Sequence, residues 1–257
     1  MKVVILAGGR GSRLSEETNI KPKPMVEVGN YPILWHVMKI YSRYGYNDFV
    51  ICCGYKGEMI KQYFADYYMR MSDITVNLSD NSVKIHQSEA EPWNVTLADT
   101  GLNANTAGRI MKVRKYLNNE PFMLTYGDGV SDVDINKVVE FHKKNKKIAT
   151  ITAAKPAGRW GTIQISEDQN VVETFQEKNK TNEAWVNSGF AVFEQDIFQY
   201  LMSESEQLER EPYERLVDAK QIDAYKHYGF WHAMDTVNDR EVLEEYWKTG
   251  HAPWRVW

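Results

Sequence analysis

The chain has 257 residues, with 31 basic against 35 acidic side chains and a formal charge of −4. It is 43% apolar and 26% charged, the composition of a water-soluble domain able to bury a sizeable core. A mildly acidic balance excludes a general nucleic-acid or membrane-surface binder, so any bound anion must be caught by a local cluster of cations.

No apolar run approaches the roughly 18 residues needed to span a bilayer. The run Val3–Ala7 is interrupted by Arg10 and Arg13 too soon for a signal-peptide core. The only cysteines, Cys52 and Cys53, are sequence neighbours and cannot frame a disulfide scaffold. A cytoplasmic location is expected.

In chain order, Val3–Leu6 reads as a buried strand. A loop over 8–30 leads to a helix from Ile33, with Leu34, Val37, Met38 and Tyr41 on one face. Asp48–Cys53 is the next strand, followed by a helix carrying Ile60, Tyr63, Phe64 and Tyr67. Phe122–Tyr126 is a further buried strand, then a helix across Val138–His142 and a strand at Ile148–Ala153. Buried strands joined by helices imply a mostly parallel sheet covered on both faces. Beyond it, Thr162–Ile165, Val171–Gln176, Trp185–Phe193 and Gln221–Tyr225 alternate as strands, before a helix near Asp239–Trp247. The expected class is α/β. A Rossmann-like, mostly parallel central sheet is extended by a smaller, partly antiparallel lobe within one domain, 1–257. Its nucleotide-binding part spans about 1–155 and the lobe about 156–257. Ligands in such sheets lie beyond the carboxyl ends of the strands, so residues after Leu6, Tyr126 and Phe175 should line the site.

Leu6-Ala7-Gly8-Gly9-Arg10-Gly11-Ser12-Arg13-Leu14 follows the first strand directly. Its glycines let backbone N–H groups approach a phosphate, and Arg13 adds a planar fork of donors. The Rossmann pattern fails, because Leu14 stands where its third glycine belongs, and no Gly-Lys-Ser/Thr completes a P-loop. In Lys21-Pro22-Lys23-Pro24 the prolines stiffen a pair of cations suited to a polyphosphate; a solvated basic loop is the plain alternative.

These two segments resemble the signature of the sugar-1-phosphate nucleotidylyltransferases, the nucleotide-sugar pyrophosphorylases. The resemblance runs over nearly the whole chain, through Ile51–Gly57, Glu91–Gly101, Tyr126–Gly129, Phe175–Lys178, Gly229–Thr236 and Ala252–Trp254. Glu91–Thr96 and Gly229-Phe230-Trp231 point to the branch that joins CTP to glucose 1-phosphate. The resemblance implies a GT-A-like nucleotidyltransferase fold and an early step of deoxysugar and surface-polysaccharide (O-antigen) precursor synthesis. It further implies Mg²⁺ held by Asp128 and Asp235, with Arg13, Lys23 and Asp128 at the chemistry. Leu6 to Arg13, Lys23, Ala104, Arg109 and Gly127 would contact the nucleotide. Glu177, Lys178, Asn187 and Gly161 would contact the sugar phosphate. Departures from the family pattern stand at Asn179 and Ser188, the latter able to crowd the sugar or to face the core.

Independently of resemblance, Asp128 ends a buried strand, where an isolated carboxylate is costly unless a cation meets it. Asp132 and Asp134 are expected to cap the next helix. The six histidines form no ligand spacing with Cys or Glu, so no structural zinc site and no Ser-His-Asp arrangement is expected. His142–Lys147 reads as the solvated, cation-rich end of a helix. Trp93, Trp160 and Trp231 are the tryptophans expected near a ligand. The aromatic tail, with Trp254 and Trp257, could pack on a neighbour in a homo-oligomer. A GT-A glycosyltransferase and an inactive regulatory homologue are the rival readings. The first gives no role to Arg13 and Lys23 at a triphosphate, and the second leaves Arg13, Lys23, Asp128 and Asp235 unexplained.

Overall fold

In the computed structural model, residues 1–11, 14–155, 162–165, 172–176 and 185–257 are described. A sheet of seven strands carries the fold, in the spatial order 222–227, 149–154, 186–193, 122–126, 3–6, 48–53, 94–99. Val3–Leu6 lies in parallel between Asp48–Cys53 and Phe122–Tyr126. Asn94–Asp99 adds a parallel edge strand, and Ala149–Ala154 runs parallel to Ile222–His227. Only Val186–Phe193 runs against its neighbours.

A strand's period of two sends alternate residues to opposite faces. Val3, Ile5, Phe49, Ile51 and Met123 enter one core, where Leu34, Val37, Ile60, Val138 and Leu243 from four helices meet them. Val4, Leu6, Val50, Cys52 and Leu124 enter the other, closed by Ala107, Ile110, Val113 and Leu216. Both faces are therefore apolar and both are covered, which is why the strands read as unbroken hydrophobic runs. The expected α/β class with a mostly parallel, doubly covered sheet is what the chain adopts.

The second half contributes more to this sheet than its alternating texture suggests. Val186–Phe193 and Ile222–His227 extend the main sheet, while Thr162–Ile165 and Val172–Gln176 form a separate antiparallel pair. Elements without a strong apolar pattern also appear: a hairpin of Ser72–Asn77 and Ser82–Ser88, and helices Thr106–Val113 and Glu211–Asp218. The aromatic tail packs on its own chain. Trp254 is fully buried and donates to His36 Nδ1 at 3.3 Å, and Trp257 meets Trp35 edge-on. No helix among the described residues is long and apolar enough to cross a membrane.

Candidate active site

The carboxyl ends of the parallel strands are level, because Leu6 pairs with both Cys52 and Tyr126 and Cys53 pairs with Asp99. The loops leaving those strands enclose a cavity of about 510 Å³. Leu6, Ala7, Gly8, Gly9, Arg10 and Gly11 form one wall, Ala104 and Arg109 another, and Lys23, Gly127 and Asp128 its end. The expected nucleotide residues within the described chain are thus brought together. Ser12 and Arg13 lie outside the described residues.

Lys23 reaches this cavity through a tight turn, Lys23–Met25, in which Met25 N donates to Pro22 O at 2.8 Å. Pro24 lies against Gly127, where an added Cβ would stand 3.1 Å from Pro24 Cγ. The close packing of Pro24 on Gly127 brings the segment that carries Lys23 against the one that carries Asp128. Its side chain is buried, which rules out the solvated-loop alternative; Lys21 instead pairs with Glu27 at 3.3 Å.

Asp128 and Asp235 are 107 residues apart in sequence, yet both touch Lys23 Nζ, at 2.6 and 2.7 Å. A short antiparallel ladder makes this possible. Gly129–Ser131 pairs with Trp231–Ala233, and Met234 N donates to Asp128 O at 2.9 Å. The Asp235 backbone is held in turn by Asp239, whose Oδ2 accepts from Asp235 N, Thr236 N and Thr236 Oγ1. Thr236 caps the helix Val237–Lys248 and closes a capping box with Asp239. Burial alone pulls the Lys23 pKa down; the Asp128 and Asp235 carboxylates outweigh it and raise the pKa, keeping the ammonium charged.

Two carboxylates converging on one cation offer a hard, oxygen-only donor set, and phosphate oxygens would complete it. The Lys23 ammonium marks the point they share. Among the described residues no cluster of three or more His, Cys, Asp or Glu could hold a metal unaided. The residues therefore fit a Mg²⁺ ion that arrives with a phosphate ligand, and they do not fit a structural metal.

Arg109 was expected near the nucleotide; it lines the cavity, but its guanidinium is committed to the protein. It donates to Thr100 Oγ1 at 2.6 Å, Gly101 O at 2.9 Å and Gly8 O at 3.0 Å. The loops that follow Val3–Leu6 and Asn94–Asp99 are thereby tied to one side chain. Gly54 allows the close approach, since a Cβ there would come 2.6 Å from Gly8 O.

A second cavity, of about 390 Å³, adjoins the first through Tyr126 and Asp128. Asn187, Ser188, Gly189, Glu209, Tyr213, Trp231 and Asp235 are among its other walls. Asn187 is therefore where a sugar-contacting residue was expected. Ser188 turns away from the ligand space: its hydroxyl donates to Thr152 O at 2.8 Å, so its hydroxymethyl faces the core. Gly161, Trp160, Glu177, Lys178 and Asn179 lie outside the described residues.

Two expectations are corrected, and a third holds with a qualification. Asp134 caps the helix Ile135–Asn145, but Asp132 does not; its carboxylate accepts from Phe230 N at 2.7 Å and pairs with His227 at 2.8 Å. Trp93 lines neither cavity and instead packs against Tyr67 and Phe49. Trp231 does line the second cavity, although its indole N–H is spent on Ser188 O. The reading missed Glu209, Tyr213 and Asp239. Thr236-x-x-Asp239 is a capping-box signature that marks Asp239, whereas nothing in the local pattern marks Glu209.

The family model for nucleotidyl transferases matches residues 2–247. The glucose-1-phosphate cytidylyltransferases of Salmonella typhi and Salmonella typhimurium (strain LT2) are each 49% identical to this chain, over 100% of it and 100% of their own length. A solved UDP-glucose pyrophosphorylase in complex with UDP-glucose superposes with a TM-score of 0.66 at 16% identity, covering 96% of this chain and 98% of that one, a likeness of fold. A glycine-rich loop opposite a lysine shared by two distant carboxylates, in a chain matched almost end to end, identifies the protein as a member of the nucleotidyl transferase family.

Proposed function

We propose that this nucleotidyltransferase joins CTP to α-D-glucose 1-phosphate, giving CDP-glucose and pyrophosphate, with Mg²⁺ as its cofactor. The observation that carries the reading is the meeting of two cavities at Tyr126 and Asp128, with Lys23 and Asp235 at the junction. One cavity presents a glycine loop suited to phosphates, and the other presents hydroxyl, amide and carboxylate groups suited to a sugar. The full-length similarity to two cytidylyltransferases supports the choice of CTP and glucose 1-phosphate.

The nucleophile is an oxygen of the sugar phosphate, already ionised at neutral pH because its second pKa is about 6. It forms a bond to the α-phosphorus of CTP while the bond from that phosphorus to the pyrophosphate oxygen breaks, in line. No general base is needed, in keeping with a junction that holds no histidine among its described lining residues. The task left to the protein is to bring two anions together and to stabilise charge on the leaving pyrophosphate.

Lys23 supplies a fixed positive charge at the junction, and Arg13 in the same loop sequence is assigned to the triphosphate. Asp128 and Asp235 would hold the Mg²⁺, which supplies Lewis-acid stabilisation of the phosphoryl oxygens. The Arg109 ties fix the glycine loop and the 100–101 loop before substrate arrives, which lowers the ordering cost of binding. Glu177, Lys178, Asn187 and Gly161 are assigned to the sugar phosphate, and Ala104 to the nucleotide. The product would enter deoxysugar and surface-polysaccharide synthesis in the cytoplasm.

The test is pyrophosphate release from each nucleoside triphosphate with glucose 1-phosphate. CTP should exceed UTP and dTTP by orders of magnitude, because cytosine offers an amine donor where the others offer a carbonyl. Equal rates from CTP and dTTP would overturn the cytidylyl assignment.

A further inference from the structure

Glu209 stands in the wall of the second cavity and is tied to the first. Its Oε1 accepts from the Tyr126 hydroxyl, and its Oε2 accepts from Thr106 Oγ1 at 2.8 Å. Tyr126 lines both cavities, and Thr106 opens the helix Thr106–Val113 that walls the first. The Thr106 hydroxyl is itself fixed, since it accepts from Leu208 N at 2.7 Å. The Tyr126 ring is fixed by Gly189, whose φ of +85° and missing Cβ let the ring pass; a Cβ there would lie 3.1 Å from Tyr126 Cε2. Glu209 is therefore a carboxylate held in place by two hydroxyls that cannot wander.

Most of the other described polar groups of the second cavity already have partners within the protein. Asn187 Oδ1 accepts from Gly189 N at 3.0 Å, and its side chain bonds Tyr213. Ser188 and Trp231 donate to Thr152 O and Ser188 O. Asp128 and Asp235 face Lys23. A carboxylate offers about four lone-pair sites, and the two hydroxyls use two of those on Glu209. The residue is exposed and lines the cavity, which leaves it acceptor capacity for a ligand there.

We propose that Glu209 is a specificity-determining residue that accepts a hydrogen bond from a sugar hydroxyl of the acceptor. This rests on the transfer reading above and adds the group that orients the sugar. A carboxylate attracts neutral hydroxyl donors through charge-assisted bonds and repels a phosphate. With Lys23 at the junction and Glu209 in the wall, a sugar phosphate fits one way round: phosphate toward the lysine, ring hydroxyls toward the glutamate. The tie to Thr106 places this acceptor at a set position relative to the nucleotide cavity.

The test compares wild type with Glu209→Gln and Glu209→Asp in full kinetics, using glucose 1-phosphate and a panel of singly deoxygenated glucose 1-phosphates. Loss of a bond to a charged acceptor corresponds to about a tenfold or greater rise in KM for glucose 1-phosphate in Glu209→Gln, with KM for CTP within about twofold. One deoxy compound, the one lacking the donating hydroxyl, should be discriminated against by wild type and no longer by Glu209→Gln. Glu209→Asp keeps the charge and should retain part of that discrimination, which decides the matter if the Gln variant does not fold. Equal rises in both KM values, or unaltered discrimination in both variants, would overturn the assignment while wild-type activity left the transfer reading standing. A wild type that releases no pyrophosphate with any nucleotide and glucose 1-phosphate would remove both.

Discussion

Lys23 and Asp235 form an ion pair of 2.7 Å across 212 positions of sequence, and this contact joins the turn Lys23–Met25 to the residues that lead into the helix Val237–Lys248. Asp128 shares the same ammonium at 2.6 Å. Without a cation between them the two carboxylates would repel, so the junction is assembled around positive charge. That arrangement sets the first expectations.

Asp128→Asn and Asp235→Asn should each lower kcat by two orders of magnitude or more, since metal-assisted charge stabilisation is worth several kcal/mol. Initial rates across a Mg²⁺ titration measure this. Near-normal turnover of Asp235→Asn at saturating Mg²⁺ would show that the two residues do not share an ion.

Lys23→Met should lower kcat and also unsettle the fold, because it removes the buried ammonium that two partly buried carboxylates share. Removing one partner of a buried ion pair costs about 3–5 kcal/mol, and partial exposure of these carboxylates places the loss toward the lower figure. Millimolar Mg²⁺ should raise the melting temperature of this variant more than that of wild type. Equal Mg²⁺ responses in calorimetry would argue that the carboxylates do not converge on a metal.

Arg109→Lys replaces a planar fork that joins Gly8 O, Gly101 O and Thr100 Oγ1 by a single point charge. KM for CTP should rise clearly while KM for glucose 1-phosphate changes little, because the loosened loops belong to the nucleotide cavity. A matched rise in both constants would instead indicate a general loss of structure.

His36 supplies a pH dependence of stability. It is fully buried, bonded through Nε2 to Val28 O at 2.8 Å and through Nδ1 to the Trp254 indole. Burial lowers its pKa from 6.5 to about 4 despite the Val28 carbonyl, which works the other way. The unfolded chain therefore binds this proton more readily than the native one. Its contribution is complete above pH 6.5 and is lost as pH falls toward 4, by about 3 kcal/mol in all. Urea titrations at successive pH values should show that loss, and His36→Gln should flatten it.

The sheet was legible because its strands are buried on both faces and so carry dense apolar runs such as Val3–Leu6 and Phe122–Leu124. The glycine loop and Lys23-Pro24 were legible because phosphate chemistry restricts residue types over a few adjacent positions. Thr106–Val113 was hidden, since its buried face includes Gly108 and Arg109, which do not register as apolar. The Ser72–Ser88 hairpin was hidden because most of its residues are exposed, leaving Ile74, Val76, Val83 and Ile85 as its alternating apolar signal. Asp235 was joined to the site by family resemblance and not by any local pattern, since the Gly129–Ala233 ladder that carries it there is tertiary; Glu209 could be joined only by tertiary structure, through two hydroxyls from distant elements.

The reversed strand Val186–Phe193 has a consequence for how the enzyme can change. Gly8, Gly127 and Asp128 of the first cavity follow the ends of forward strands, whereas Asn187, Ser188 and Gly189 stand at the beginning of a reversed one. Exchanges at 187–189 can therefore reshape the second cavity without shifting the glycine loop, whose strand is anchored two places away in the sheet. The two cavities thus draw most of their walls from separate stretches of polypeptide that meet at Tyr126 and Asp128, so a designer, or natural selection, can revise much of one wall while the other stands.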